Sequence, residues 1–291
     1  LTFTTRFAPS PTGPLHLGHA YSAIIAYKMA QANAGRFLLR IEDIDSTRAS
    51  PKWEAQIYED LAWLGLKWET PVMRQSDRLA LYDHALDALW GRGLLYPCTC
   101  SRADIASASS APQEGAPLNG PDGIIYPGTC RPVQPPKGPR PVDIPLRLDM
   151  ARACGKITGQ PEFVEEGSGS AEHITFSTEE MISTVGDVVL ARRGMGTSYH
   201  LSVVLDDAAQ EISHVVRGSD LFEATRIHIV LQRLLDLPHP RYHHHKLIRD
   251  TSGKRLAKRD DARAISLYRD EEHTVKDILS MIGLEGSHLT L

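Results

Sequence analysis

The run APSPTGPLHLGH from Ala8 to His19 constrains the fold more than any other stretch of the chain. Pro9, Pro11 and Pro14 forbid a continuous helix or a central strand there, so the run is a loop. Before it, Thr2 to Ala8 reads TFTTRFA, whose Thr and Phe content predicts a buried strand ending at Pro9. After it, Ala20, Ile24, Ala26 and Met29 fall in a helical run with no Pro or Gly until Gly35, a candidate C-terminal cap, and Phe37 to Ile41 predicts a second apolar strand. Strand, loop, helix and strand in that order make the nucleotide-binding half of an open parallel sheet. A phosphate at the helix start would find backbone N–H donors and a positive dipole, with Gly13 and Gly18 allowing close approach. His16 and His19, three apart, point the same way and can donate to phosphate oxygens as charge builds during displacement at phosphorus. A plain polar helix face is the competing reading of that pair.

Further along, Ser76 is a candidate cap for a helix carrying Leu79, Tyr82, Leu86 and Leu89, which Gly93 can close. From Ser101 to Pro145 the chain turns dense in Pro, Gly, Ala and Ser, as in an irregular insertion. Periodicity returns with YHLSVVL from Tyr199 to Leu205, which reads as a buried strand. Leu221 to Leu235 reads as a helix and Ile265 to Ile282 as a terminal helical pair. An α/β fold interrupted by an insertion is the expectation.

With 36 acidic and 32 basic side chains the formal charge is −4, so no global positive field holds nucleic acid, and any RNA partner must be gripped by local patches. At 42% hydrophobic and 23% charged, the chain lies outside the regime of disorder. No apolar run long enough for a membrane span or a signal peptide is present, so a cytoplasmic protein without membrane contact is expected. Four cysteines in 291 residues make no disulfide framework. Cys98-Thr99-Cys100 is a tight pair, and Cys130 lies across the Pro-rich stretch in YPGTC; three thiolates and one further ligand would make a tetrahedral zinc site. The sequence alone leaves the fourth ligand open, and gives Cys154 no partner.

RFAPSPTGPLHLGHA from Arg6 to Ala20, with RIEDID from Arg40 to Asp45, closely resembles the class I glutamyl-tRNA synthetases. His16-Leu17-Gly18-His19 stands at their HIGH motif. GKRLAKRD from Gly253 to Asp260 is similar to their KMSKS-type loop, with Arg255 and Ala257 in place of the first Lys and the Ser while Lys258 is kept. The resemblance implies a Rossmann-type catalytic domain split as residues 1–97 and 191–248, an insertion over 98–190 with the zinc site, and the KMSKS-like loop with C-terminal helices over 249–291. It implies ATP with Mg²⁺ as substrate, with His16, His19 and Lys258 catalytic and His16, Gly18, His19, Arg255 and Lys258 binding ATP. Arg6, Ala8, Ser10, Glu42, Tyr199 and Arg217 match the positions lining the glutamate site, Glu42 facing the ammonium and arginine the side chain. Guanidinium forks suit a carboxylate better than an amide, which favours glutamate over glutamine. A subgroup with CxC followed by YxxxC implies Tyr126 as fourth zinc ligand beside Cys98, Cys100 and Cys130.

Little chain follows the KRLAKRD loop, so no anticodon-reading domain is expected, and the resemblance narrows to truncated paralogues of this family. These imply transfer of activated L-glutamate to queuosine in the anticodon of tRNA(Asp), by a monomer. The alternatives are charging of a tRNA 3′ end, a silent synthetase-like binding module, and a nucleotidyltransferase acting on a small molecule. Two further features are discounted on sequence grounds. His243, His244 and His245 are consecutive and read as a solvated or loop segment, and Asp206-Asp207 would face opposite sides of a strand.

Overall fold

The structure of the chain is a computed structural model describing residues 2–109, 119–249 and 263–285. The first unit is as expected: β1 (Thr4–Phe7), α1 (Leu17–Ala32) and β2 (Arg36–Ile41), with the strands parallel and Arg6 opposite Leu38. Alanines at 20, 23, 26 and 30 are buried on α1 and let it lie close to the sheet, where Thr5 Oγ1 donates to the carbonyl of Ala26 at 2.8 Å. There follow α2 (Pro51–Trp63), β3 (Met73–Arg74), α3 (Leu79–Gly91) and β4 (Leu95–Pro97). The Pro-rich region contains α4 (Arg102–Ser109) and a short hairpin of β5 (Asn119–Gly120) and β6 (Gly123–Ile124). Beyond it come β7 (Leu146–Leu148), α5 (Met150–Cys154), β8 (Glu162–Glu165), β9 (Glu172–Thr175), α6 (Thr178–Glu180) and β10 (Val189–Ala191). The chain continues as α7 (Tyr199–Ala209), β11 (His214–Gly218), α8 (Thr225–Leu234) and β12 (Arg241–His245), then the pair α9 (Ile265–Asp270) and α10 (Val275–Met281).

Strands β1, β2 and β3 run parallel in the order 1-2-3, and β11, β12 and β8 run parallel with β9 antiparallel at the edge. The two sheets meet where Ser213, just before β11, donates its N–H to Thr4 O at 3.1 Å and accepts from Thr4 N through Oγ at 2.7 Å. Val216 of β11 accordingly packs with Phe7, Ile24 and Leu39, and Ile265 and Ile278 of the terminal pair close the same cluster. β8 and β9, although between residues 98 and 190, belong to the sheet of β11 and β12, whereas β4, β7 and β10 form a separate antiparallel sheet. Among the described residues, no helix is long and apolar enough to cross a membrane.

Several local expectations are corrected. Tyr199 to Leu205 is not a strand but the first turns of α7, capped by Ser198 Oγ, which accepts from Leu201 N. Helix α7 is buried on nearly all sides, which erases the amphipathic period that would have marked it. Gly35 does not cap α1: Asn33 does, with Ala34 taking φ +48°. Gly35 is needed for a different reason, since a Cβ there would stand 2.2 Å from the carbonyl oxygen of Phe3. Ser76 does not cap α3, because a 3-10 turn over Gln75–Arg78 precedes that helix and Ser76 instead binds the Asp43 carboxylate through N (2.8 Å) and Oγ (2.6 Å). Gly93, at φ +68°, closes the helix as read. The three histidines are the largest departure. They form β12, with His244 and His245 buried rather than solvated.

Asp206 and Asp207, set aside as strand residues, sit near the end of α7 and anchor it. Asp206 accepts from Tyr82 Oη (2.8 Å), Gln75 Nε2 (2.9 Å) and Arg78 Nε (2.7 Å). Asp207 accepts from Arg6 Nε (2.9 Å) and Arg40 Nη1 (2.7 Å). Arg40 is wholly buried and also donates to Glu42 Oε1 at 3.1 Å. Exchanging Arg40 for Met would keep the bulk while removing the cation shared by two buried carboxylates. The expected loss is about 3–5 kcal/mol, read as a lower urea midpoint at unchanged slope. A wild-type midpoint would show that Arg6 alone compensates both acids.

Candidate functional site

One cavity of about 930 Å³ opens at the ends of β1 and β11, over the start of α1. Arg6, Ala8, Ser10, His16, Gly18, His19, Glu42, Tyr199 and Arg217 all line it, so every site residue read from the sequence around this pocket and described in the structure converges there. Arg255 and Lys258 lie outside the described residues. The chain on either side of that segment reaches the same place: Leu247 and Ile248 line the cavity, and Ala264 bridges to His16, while Ile265 N donates to Leu15 O at 2.8 Å.

His16 is the N-cap of α1. Its Nδ1 accepts from Gly18 N at 3.1 Å, and His19 Nδ1 accepts from His16 N at 3.2 Å, with the two rings 3.7 Å apart. Because both Nδ1 atoms are acceptors, the neutral rings carry their protons on Nε2. The first turn of α1 has no acidic residue, so its N-terminal dipole is uncompensated by side chains of its own.

On the opposite side stand the charged groups. Arg6, 4% exposed, is gripped by both oxygens of Asp207 and also donates Nη1 to Val216 O at 3.3 Å. Burial opposes the charge on Asp207, yet Arg6 and Arg40 hold its carboxyl below the usual carboxylate range. Burial pushes the Glu42 carboxyl up, against the pull of Arg40 and Arg6. Burial likewise raises the Tyr199 phenol, which therefore stays protonated at neutral pH and can donate. Arg6, Arg217, Glu42 and Tyr199 thus offer two guanidinium groups, a carboxylate and a hydroxyl on this wall. That set complements an amino acid carrying a second carboxylate.

Sequence reasoning missed the layer behind this wall. His228 and His244 hydrogen-bond Arg217, and His200, His245, Asp122, Arg102 and Arg192 also line the cavity. Three consecutive histidines give β12 no alternation of apolar and polar residues, so its strand character left no mark in the sequence.

A second constellation lies in the insertion. Cys98, Cys100 and Cys130 bring their Sγ atoms within 4.8 Å of one another. Tyr126 Oη is 3.3 Å from Cys100 Sγ and 3.5 Å from Cys98 Sγ, and accepts from Cys130 N at 2.7 Å. Burial works against a Cys130 thiolate, but hydrogen bonds from Tyr126 and the Thr99 backbone bring it down to about 6. Arg147 adds a positive charge, with Nε 3.3 Å from Cys98 Sγ and its guanidinium 3.8 Å above the Tyr126 ring. Converging thiols and a nearby cation suit a metal that prefers thiolate. Cys154 is buried apart from them.

Residues 2–118 and 167–290 match the family described as tRNA synthetases class I (E and Q), catalytic domain. The chain is 64% identical over 281 residues to a glutamyl-Q tRNA(Asp) synthetase of Rhodobacter capsulatus, covering 96% of this chain and 99% of that one. It is 40% identical over 268 residues to one of Geobacter sulfurreducens, covering 91% and 78%. Among solved structures, a glutamate tRNA ligase from Elizabethkingia meningosepticum in complex with its amino acid has a similar fold, with a TM-score of 0.72 at 23% identity. That match covers 98% of this chain and 61% of the other. Strand order, the histidine-capped helix and near-full-length similarity lead to one conclusion: the chain belongs to the class I tRNA synthetases of the E and Q family.

Proposed function

We propose that the protein activates L-glutamate with ATP, taken up with Mg²⁺, and transfers the glutamyl group to queuosine in the anticodon of tRNA(Asp). The observation that carries this reading is the single cavity joining the His16–His19 helix start to the Arg6, Glu42, Tyr199 and Arg217 wall, in a chain collinear with relatives bearing that name. Glutamate lies with its ammonium toward Glu42 and its side-chain carboxylate toward Arg217, with Ala8 and Ser10 beside it. An α-carboxylate oxygen attacks the α-phosphorus of ATP, the bond to the bridging oxygen breaks, and pyrophosphate leaves. Nε2–H of His16 and His19, with the N-terminus of α1 at Gly18, meets the charge that accumulates on the phosphoryl oxygens. Lys258 and Arg255 neutralise the departing pyrophosphate. A cyclopentene hydroxyl of queuosine then attacks the acyl carbon of glutamyl-adenylate, releasing AMP and a proton. The reaction belongs in the cytoplasm, where ATP and tRNA are found, and the protein acts as a monomer.

Cys98, Cys100, Cys130 and Tyr126 would hold zinc, which supplies a structural cross-link in the insertion rather than reaction chemistry. One zinc per chain is expected by metal analysis of the purified protein, and Cys100→Ser should lose it together with several degrees of thermal stability. Full thermal stability after complete chelation would show that the thiols need no metal.

The function is tested by following labelled glutamate onto tRNA(Asp) isolated with and without queuosine, beside glutamate-dependent ATP–pyrophosphate exchange. Exchange with labelling only of the modified tRNA is expected. Equal labelling of both tRNAs would instead support charging of a 3′ end, and absence of exchange would leave a binding module.

A further inference from the structure

Arg217, 5% exposed on β11, is held from behind by a continuous chain of hydrogen bonds. Its Nε donates to His244 Nε2 at 3.1 Å, its Nη1 meets His228 Nδ1 at 3.1 Å, and its Nη2 donates to Thr225 Oγ1 at 2.8 Å and Leu221 O at 3.4 Å. A guanidinium has donors only, so both imidazole nitrogens facing it must be acceptors. Every other proton follows. His244 carries its proton on Nδ1 and gives it to Glu165 Oε2, while Glu165 Oε1 accepts from His244 N at 2.9 Å and Gly167 N at 2.7 Å. His228 carries its proton on Nε2 and gives it to His200 Nδ1 at 3.1 Å, and His200 in turn presents Nε2–H to Asp122 Oδ1 at 3.3 Å.

We propose that His228 and His244 are positioning residues that work only as neutral imidazoles, setting the plane and aim of Arg217, with the Glu165 and Asp122–His200 ends of the relay fixing their tautomers. This deepens the proposed function and rests on its reading that Arg217 receives the side-chain carboxylate of glutamate. The protein's own bonds occupy Nε and Nη2 and leave Nη1 a second N–H for a ligand. A guanidinium tilted about its long axis would turn that N–H away. Asp122 stands in the turn of the β5–β6 hairpin, so the insertion takes part in shaping the pocket.

Protonation of either ring would remove an acceptor and place an N–H⁺ against the guanidinium. His228 is faced by Arg217, Arg6, His200 and His244, and burial together with these groups holds its pKa well below that of free imidazole. His244 is faced by Arg217, His243 and Glu165; burial lowers its pKa although Glu165 pulls the other way, and the Tyr242 and Phe222 rings complete its surroundings. Neutral rings are therefore the ground state at pH 7. Glutamate binding should weaken as pH falls through the acid range in which these imidazoles take up a proton.

The experiment is glutamate-dependent ATP–pyrophosphate exchange on the full chain, with KM for glutamate and for ATP measured from about pH 5 to 8. His228→Leu and His244→Leu should each raise the glutamate KM about tenfold or more, the scale of a lost hydrogen bond to a charged group, with the ATP KM within about twofold. His228→Asn offers an amide oxygen near the place of Nδ1, and His244→Gln near that of Nε2. Each should restore most of the glutamate KM. The doubly substituted H228N/H244Q protein should lose the acid-side rise in glutamate KM that the wild type shows. Glu42 titrates in both proteins, so the difference between their profiles isolates the imidazoles. Leu variants with wild-type glutamate KM, a parallel rise in both KM values, or an identical acid limb in the double variant would each overturn the proposal. If a Leu variant does not fold, the Asn and Gln profiles decide. Arg217→Ala separates the two levels: an unchanged glutamate KM sinks the reading of Arg217 itself, whereas a large rise without any effect of the histidine variants sinks only the positioning role.

Discussion

Asp207 accepts from two arginines on neighbouring parallel strands, and the position of α7 over the sheet depends on that shared carboxylate. Arg6 lies on β1 and Arg40 on β2, while Asp207 comes from a helix encoded some 170 to 200 residues later. Three charges desolvated this deeply would be costly one by one, and together with Glu42 they balance as two cations and two anions. Breaking any member strands its neighbours. The same helix carries Tyr199 at its first turn, about 12 Å along the axis from Asp207, so fixing one end of α7 places the phenol at the other. Arg6 thereby does two things: it ties the halves of the fold and presents its remaining N–H groups to the cavity.

A packed apolar cluster of equal volume could have joined the same elements, and buried ion pairs are often no more stabilising than such a cluster. What an apolar cluster cannot do is set the direction of a side chain that must face a ligand. Asp207 holds Arg6 with both oxygens, and a bidentate contact fixes the plane of the guanidinium. Arg217 is fixed by other means, neutral acceptors rather than a carboxylate. That difference matters electrostatically. Arg6 is largely neutralised by its partner, while Arg217 keeps its full positive charge, which on the proposed reading is reserved for the anionic end of the substrate.

The strand–loop–helix–strand unit was legible because proline and glycine punctuate it and because no Pro or Gly interrupts the chain between Gly18 and Gly35, a stretch too long for one strand. The residues lining the cavity were legible for a different reason: they sit in contiguous motifs, and Arg6, Glu42 and the histidine pair carry chemistry that few structural roles require. Helix α7 was misread because Leu201, Val203 and Val204 are buried on both sides of it, which produces the same unbroken apolar run as a central strand. The glycine at 35 was noticed, but its purpose was hidden, since the close approach of Phe3 is a tertiary contact with no local trace. The order of tautomers behind Arg217 depends on residues from β8, α7, α8 and β12, and no spacing along the chain reports it.

Histidine is used here in two opposite senses, and the sense is chosen by what the far nitrogen meets. At the start of α1, backbone N–H groups occupy Nδ1 of His16 and His19, so the rings turn Nε2–H outward as donors suited to anionic oxygens. Behind Arg217, carboxylates at the outer ends of the relay take the protons, so the rings turn lone pairs toward a cation. Neither arrangement requires an imidazolium. An imidazolium would damage both: at the start of α1 its Nδ1–H would oppose the backbone N–H that Nδ1 now accepts from, and behind Arg217 its second N–H would face the guanidinium. Five of the chain's 13 histidines are committed to this division, which makes the polarity of the cavity a property of hydrogen-bond direction more than of net charge.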